Sequence, residues 1–130
     1  MIIDSSALVA IFRMEPEADA FTQAIGEDES PRISAANYLE TAIVIDRDPN
    51  VLARHRFDKF MESDVLTVEP VTLQQVEIAR AAYRDFGRGS GHPARLNFGD
   101  CFAYALATSA REPLLYKGDD FGHTDIRSAV

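Results

Sequence analysis

The acidic residues that invite a chemical reading of this chain are Asp4, Glu40, Asp100 and the adjacent pair Asp119-Asp120, because of where they fall beside apolar segments. Asp4 directly follows the apolar opening Met1-Ile2-Ile3, and as the cap of a helix beginning at Ser5 it has an ordinary structural role open to it. Glu40 lies one helical turn from Ala36, Ile43 and Val44 and shares their apolar face, whereas a solvated glutamate is expected to point the other way. Asp100 falls in the first turn of a helix capped by Asn97, where the helix dipole favours a carboxylate. The dipole explains its position but not its direction, since it shares a face with Leu96, Ala103, Tyr104 and Ala107. Asp119 and Asp120 come after the apolar Leu114-Leu115-Tyr116, just past Lys117-Gly118, where a polar turn would account for either alone. Asp119 is the favoured member of the pair, being nearer the strand end.

Gathered in one place, these acids need a counter-charge. Two carboxylates about 5 Å apart at an effective dielectric near 20 repel by roughly 3 kcal/mol, a large share of the about 5 to 15 kcal/mol that holds a small domain folded. Such a cluster calls for a cation or for raised pKa values. With no His or Cys at ligand spacing, an all-oxygen donor set suits Mg²⁺, with Mn²⁺ as a substitute, better than Zn²⁺. Mg²⁺ binds phosphate oxygens, so the chemistry indicated is phosphoryl transfer or phosphodiester cleavage. Ser6 is a candidate donor to Asp4 or simply a serine at a helix start.

The elements that must position these residues alternate between short strands and helices. Strands are predicted over Met1 to Ile3, Pro31 to Ser34, Val65 to Val68 and Leu114 to Tyr116. Helices are predicted over Ser5 to Phe12, Glu15 to Ile25 with a stop at Gly26, Ala35 to about Ile45, Val51 to Met61, Leu73 to about Phe86 and Phe98 to Arg111. Gly87 to Pro93 is a break that lacks the spacing of a phosphate-binding glycine loop. This alternation implies an α/β fold with a short central parallel sheet and helices on both faces, in which ligands collect at the carboxyl ends of the strands.

Composition sets the outer limits. The chain has 130 residues, enough for a single domain, and 46% of them are hydrophobic, so it can bury a core without a metal staple or disulfide. Uninterrupted apolar runs such as Ala7 to Phe12 are far short of the roughly 20 residues of a membrane helix. No secretory signal is expected at the N-terminus, and the lone Cys101 cannot form an internal disulfide, which together indicate a reducing cytoplasm. Cys101 sits in an apolar helical run and is expected to be a buried structural thiol. The formal charge of −8 argues against indiscriminate binding of polyanions.

The segments Met1 to Leu8, Ser34 to Glu40, Leu96-Asn97-Phe98-Gly99-Asp100-Cys101 and Leu114 to Phe121 resemble, in order and across essentially the whole chain, the PIN-domain ribonucleases and within them the VapC toxins of bacterial toxin–antitoxin pairs. The resemblance implies a three-layer PIN-like fold over residues 1–130, with Asp4, Glu40, Asp100 and Asp119 or Asp120 as metal-site acids. It implies Mg²⁺-dependent endonucleolytic cleavage of RNA by in-line attack of water, leaving a 5′-phosphate and a 3′-hydroxyl. It also implies a VapB-type antitoxin that blocks the site, a toxin homodimer and a toxin–antitoxin hetero-oligomer.

RNA must still approach a chain of negative charge. Arg80, Arg84, Arg88 and Arg95 stand against Asp85 alone between residues 80 and 95, so this stretch is either a phosphate track leading to the acids or a solvated basic face. Arg80, Arg84 and Arg88 are the candidate substrate contacts, together with Ser6. Arg47, Arg54, Arg56 and Lys59 form a second basic region expected at the surface, and His92 is expected to be incidental. Leu8, Phe12, Phe57, Phe60 and Met61 could line an antitoxin groove, but core packing is expected for most of them. Two other classes remain. A Mg²⁺-binding phospho-acceptor receiver domain would need an acceptor Asp after its third strand, where this chain has Glu69-Pro70. A catalytically silent PIN module for partner binding would not need every candidate acid to be present.

Overall fold

The computed structural model describes residues 1–130. Strand β1 (Ile2–Ile3) leads into helix α1 (Ser5–Phe12) and α2 (Ala18–Glu27), followed by β2 (Arg32–Ser34), α3 (Ala35–Asp46), α4 (Val51–Glu62), β3 (Thr67–Glu69), α5 (Leu73–Phe86), α6 (Phe98–Ala110), β4 (Leu114–Leu115) and a 3₁₀ turn at Asp120–His123. The four strands form one parallel sheet in the order β3-β2-β1-β4. The α/β fold class expected from the alternation is the one found.

Alternation along each strand divides the core into two layers. Ile3 and Leu115 point into one cluster, where they pack with Leu8, Phe12, Ile33 and Phe57 under α1, α2 and α4. Ile2 and Leu114, their chain neighbours, point the opposite way and pack with Leu96, Leu106 and Phe121 beneath α5 and α6. A two-residue strand buried on both faces is thus enough to hold the two helical layers together. Leu8, Phe12 and Phe57 belong to this core, and Phe60 and Met61 pack against its edge.

Several element ends differ from the sequence expectation, most clearly in α2, β3 and α6. Helix α2 begins at Ala18 rather than Glu15, because Pro16 keeps the preceding residue out of helical geometry and Met14 already has a left-handed φ of 57°. It runs through Gly26 to Glu27, since the space at the Gly26 Cβ is open and nothing there forces a stop. Strand β3 is shifted towards Glu69 by its pairing of Thr67, Val68 and Glu69 with Arg32, Ile33 and Ser34. Helix α6 stops at Ala110, because Arg111 turns left-handed at φ 57°.

Candidate metal centre

The carboxyl edge of the sheet collects the acids. Asp4 leaves β1 tied to its neighbour strand by a backbone N–H···O bond to Leu115 of 2.9 Å, and it caps α1. Its side chain is 2% exposed. Both the Ser6 amide, at 2.9 Å, and the Ser6 hydroxyl, at 2.5 Å, donate to Asp4 Oδ2. Oδ1 is buried with no partner at all. The Ser6 hydroxyl also accepts from the Lys117 amide at 2.9 Å, so it joins the loop after β4 to the start of α1.

Asp100 is brought to the same edge by the N-terminus of α6. Asn97 and Asp100 form a reciprocal capping box: the Asp100 amide donates to Asn97 Oδ1 and the Asn97 amide donates to Asp100 Oδ2, each at 2.8 Å. The cap fixes one carboxylate oxygen and aims the group at the sheet edge. Glu40, in the second turn of α3, accepts from the Ser5 hydroxyl and, at 3.3 Å, from Asn37 Nδ2.

These carboxylates feel one another. Burial pushes the Asp4 carboxyl up to about 6 despite the Ser6 hydrogen bonds, and the charge on Glu40 adds to the effect. Burial likewise pushes Asp100 up to about 7 against its bond from Asn97, with further contributions from the charges on Asp4, Asp120 and Glu40. The charge on Asp120 is thus felt at Asp100. Gly118, at φ 98°, allows the chain to turn after β4, and Asp120 opens the 3₁₀ turn that follows while Asp119 precedes it.

An unpartnered buried oxygen on Asp4 and two carboxyls raised chiefly by burial, and further by neighbouring charge, mark a site short of donors for its negative charge. A hard divalent cation fits that deficit, as does the all-oxygen donor set. No three acidic, His or Cys side chains stand at coordination spacing. A divalent cation at this edge would take one or two of the carboxylates directly and fill its remaining positions with water.

Other residues singled out in the sequence fall differently. Of the apolar companions of Glu40, Ile43 is 45% exposed and Ala36 and Val44 are half-buried, while the buried face of α3 is Asn37, Thr41 and Ile45. Glu40 reaches the site from a half-exposed apolar surface, so the face it shares was not the reason for its direction. Arg80 is exposed, pairs with no acid and lines a cleft with Phe98 and Phe102, which also border the cleft of Glu40 and Gly99. Arg84 is turned to Asp85 at 3.0 Å. Arg88 lies beyond the end of α5, exposed, with its amide bonded to the Leu96 carbonyl at 3.0 Å. Cys101 is buried, which pushes its thiol up to about 11. Sequence reasoning passed over Ser5, Asn37 and Gly99, although all three sit within three residues of a candidate acid.

A PIN domain family model matches residues 1–127. Ribonuclease VapC28 of Mycobacterium tuberculosis is 52% identical over 130 residues, covering 100% of this chain and 98% of that protein. Ribonuclease VapC42 of the same organism is 46% identical over 129 residues, covering 99% of this chain and 98% of that protein. Among solved structures, VapC20 of Mycobacterium tuberculosis, described as a sarcin-ricin loop cleaving toxin, superposes with a TM-score of 0.76 at 17% identity over 96% of this chain and 95% of that one. A toxin–antitoxin complex from Klebsiella pneumoniae gives 0.69 at 16% identity over 92% of this chain and 88% of that one. A family match over nearly the whole length, with relatives of this identity and coverage, means that the chain belongs to the PIN-domain family and, within it, to the VapC ribonucleases.

Proposed function

We propose that this protein is the toxin of a toxin–antitoxin pair and acts as a Mg²⁺-dependent endoribonuclease, hydrolysing RNA phosphodiester bonds at the edge where Asp4, Glu40, Asp100 and Asp120 meet. The observation that carries the site is the buried, unpartnered Oδ1 of Asp4 beside the charges of Glu40 and Asp100. When bound, the cation supplies charge stabilisation at the phosphoryl group and a nucleophilic water at neutral pH. Ser6 orients Asp4 by binding Oδ2, and Oδ1, left without a donor, would help to hold the cation. Asn97 does the same for Asp100 through its capping amide. Arg80 steadies the RNA backbone beside the site, because its guanidinium is not committed to an acid.

Proteins of similar sequence are named VapC ribonucleases, and a structural neighbour is part of a toxin–antitoxin complex. On that basis an antitoxin of the VapB type is the partner; the homodimer and action in the cytoplasm are expectations of the sequence resemblance alone. No helix is long and apolar enough to cross a membrane.

The test is cleavage of total RNA by purified protein with Mg²⁺, with Mn²⁺ and with a chelator, followed by mapping of the ends. Metal-stimulated cuts bearing 5′-phosphates, lost in Asp4→Ala, support the proposal. Metal-independent cleavage, or none in any condition without antitoxin, counts against it.

A further inference from the structure

The Glu40 carboxylate is seated against the start of α6. Asn37, fully buried one turn earlier on α3, donates through Nδ2 to the Gly99 carbonyl at 2.9 Å and to Glu40 Oε1 at 3.3 Å. Both partners are acceptors, which determines the orientation of the amide. Its Oδ1 is buried without a partner. A side chain kept only for stability would avoid that unmade bond, so an apolar residue would serve packing better.

Gly99 closes the other side. A Cβ built on it would lie 1.9 Å from Glu40 Oε2 and 2.6 Å from Cδ, so the carboxylate occupies the space a side chain would fill. Gly99 has no left-handed φ, and it sits in the first turn of a helix where alanine has the better propensity. The backbone therefore does not require glycine at this position; the acid does. With Oε1 held by Ser5 and Asn37, Oε2 rests over Gly99, one residue from Asp100.

We propose that Asn37 and Gly99 are positioning residues that together set the Glu40 carboxylate beside Asp100 for cation binding. The proposal rests on the reading of Glu40 as an acid of the metal site. Neither residue touches the RNA; they act through Glu40.

The test measures Mn²⁺ binding to the full chain by calorimetric titration, with the melting temperature read with and without Mn²⁺, in Asn37→Ala, Gly99→Ala and Glu40→Gln. Gly99→Ala and Asn37→Ala should each weaken Mn²⁺ binding about 10- to 100-fold and shrink the Mn²⁺-induced rise in melting temperature. The metal-free melting temperature of Gly99→Ala should stay near that of the unsubstituted protein, which separates positioning from folding even where Asn37→Ala is poorly stable. Unchanged Mn²⁺ affinity in Gly99→Ala, or in a folded Asn37→Ala, overturns the joint role. If Glu40→Gln loses Mn²⁺ binding while both other variants keep it, the clamp alone fails. If Glu40→Gln binds Mn²⁺ as before, the site reading itself fails.

Discussion

Ser6 holds one oxygen of Asp4 and leaves the other bare: its amide and hydroxyl both donate to Oδ2, at 2.9 and 2.5 Å, while Oδ1 is buried with no donor. The same hydroxyl accepts from the Lys117 amide, so the orientation of Asp4 is coupled to the turn that delivers Asp120. Local capping and the geometry of the acidic edge are thus one arrangement.

Removing one of the mutually repelling acids should separate activity from stability. Asp100→Asn keeps an oxygen acceptor for the Asn97 amide while removing the charge that burial and its neighbours oppose. Metal-stimulated cleavage should fall at least 100-fold, while the metal-free melting temperature at pH 7.5 stays level or rises. A gel-based cleavage assay and a thermal melt on one preparation check both halves, and full cleavage by the variant would remove Asp100 from the site.

The raised carboxyls also give the metal-free protein an unusual pH dependence. Asp4 and Asp100 titrate at about 6 and about 7 in the folded chain against an ordinary 3.8, so between these values the native state holds more protons than the unfolded chain. Stability must then fall as pH rises through this window. For the buried Asp4 the loss is on the order of 3 kcal/mol, absent below pH 4 and complete above about pH 6. Asp48 and Asp85, whose carboxyls are lowered by a backbone bond from Asn50 and by Arg84 respectively, act in the opposite sense, but only below the ordinary carboxylate range. Metal-free melting temperature should therefore peak near pH 4 and decline towards pH 7.5, and added Mg²⁺ should restore it at the alkaline end. A profile that rises steadily from pH 5 to 7.5 without metal would contradict this account.

The two adjacent aspartates should differ. Asp120 contributes to the field at Asp100, whereas Asp119 does not figure among its charges. Asp120→Asn should weaken Mg²⁺ activation at least several-fold more than Asp119→Asn, as read from cleavage rate against Mg²⁺ concentration. The reverse order would restore Asp119 as the fourth acid.

Among the arginines, Arg80 should matter most to RNA. Its guanidinium pairs with no acid and stands beside Phe98 and Phe102, while Arg84 is occupied by Asp85 at 3.0 Å. Arg80→Ala should weaken binding of single-stranded RNA to an inactive Asp100→Asn background and lower the slope of log affinity against log salt by about one, with a smaller change for Arg84→Ala. Filter binding across a salt series measures this, and equal effects at the two positions would favour a diffuse basic face.

Much of this protein is legible in the order of its residues because the signals are local. The apolar pairs Ile2-Ile3 and Leu114-Leu115 read as buried strands, and the caps Ser34, Thr72 and Asn97 start α3, α5 and α6 where they stand. Asp100 was recognisable for the same reason, since its capping box and its apolar helix face lie within ten residues of sequence. Glu40 was reached by a weaker route: the face it shares with Ile43 is exposed, and its true anchor is Asn37, Gly99 and Ser5.

By itself, then, the sequence determined which segments are strands and helices, how they alternate, and which acids lie at element ends, because capping and burial periodicity act over a few residues. Only the tertiary structure decided that the charge of Asp120 is felt at Asp100, and that a glycine 59 positions along the chain from Glu40 leaves room for its carboxylate. Those relations depend on where the parallel sheet sets the ends of separate elements against each other, and on charges summed across that edge. Neither quantity has a local signature in the chain.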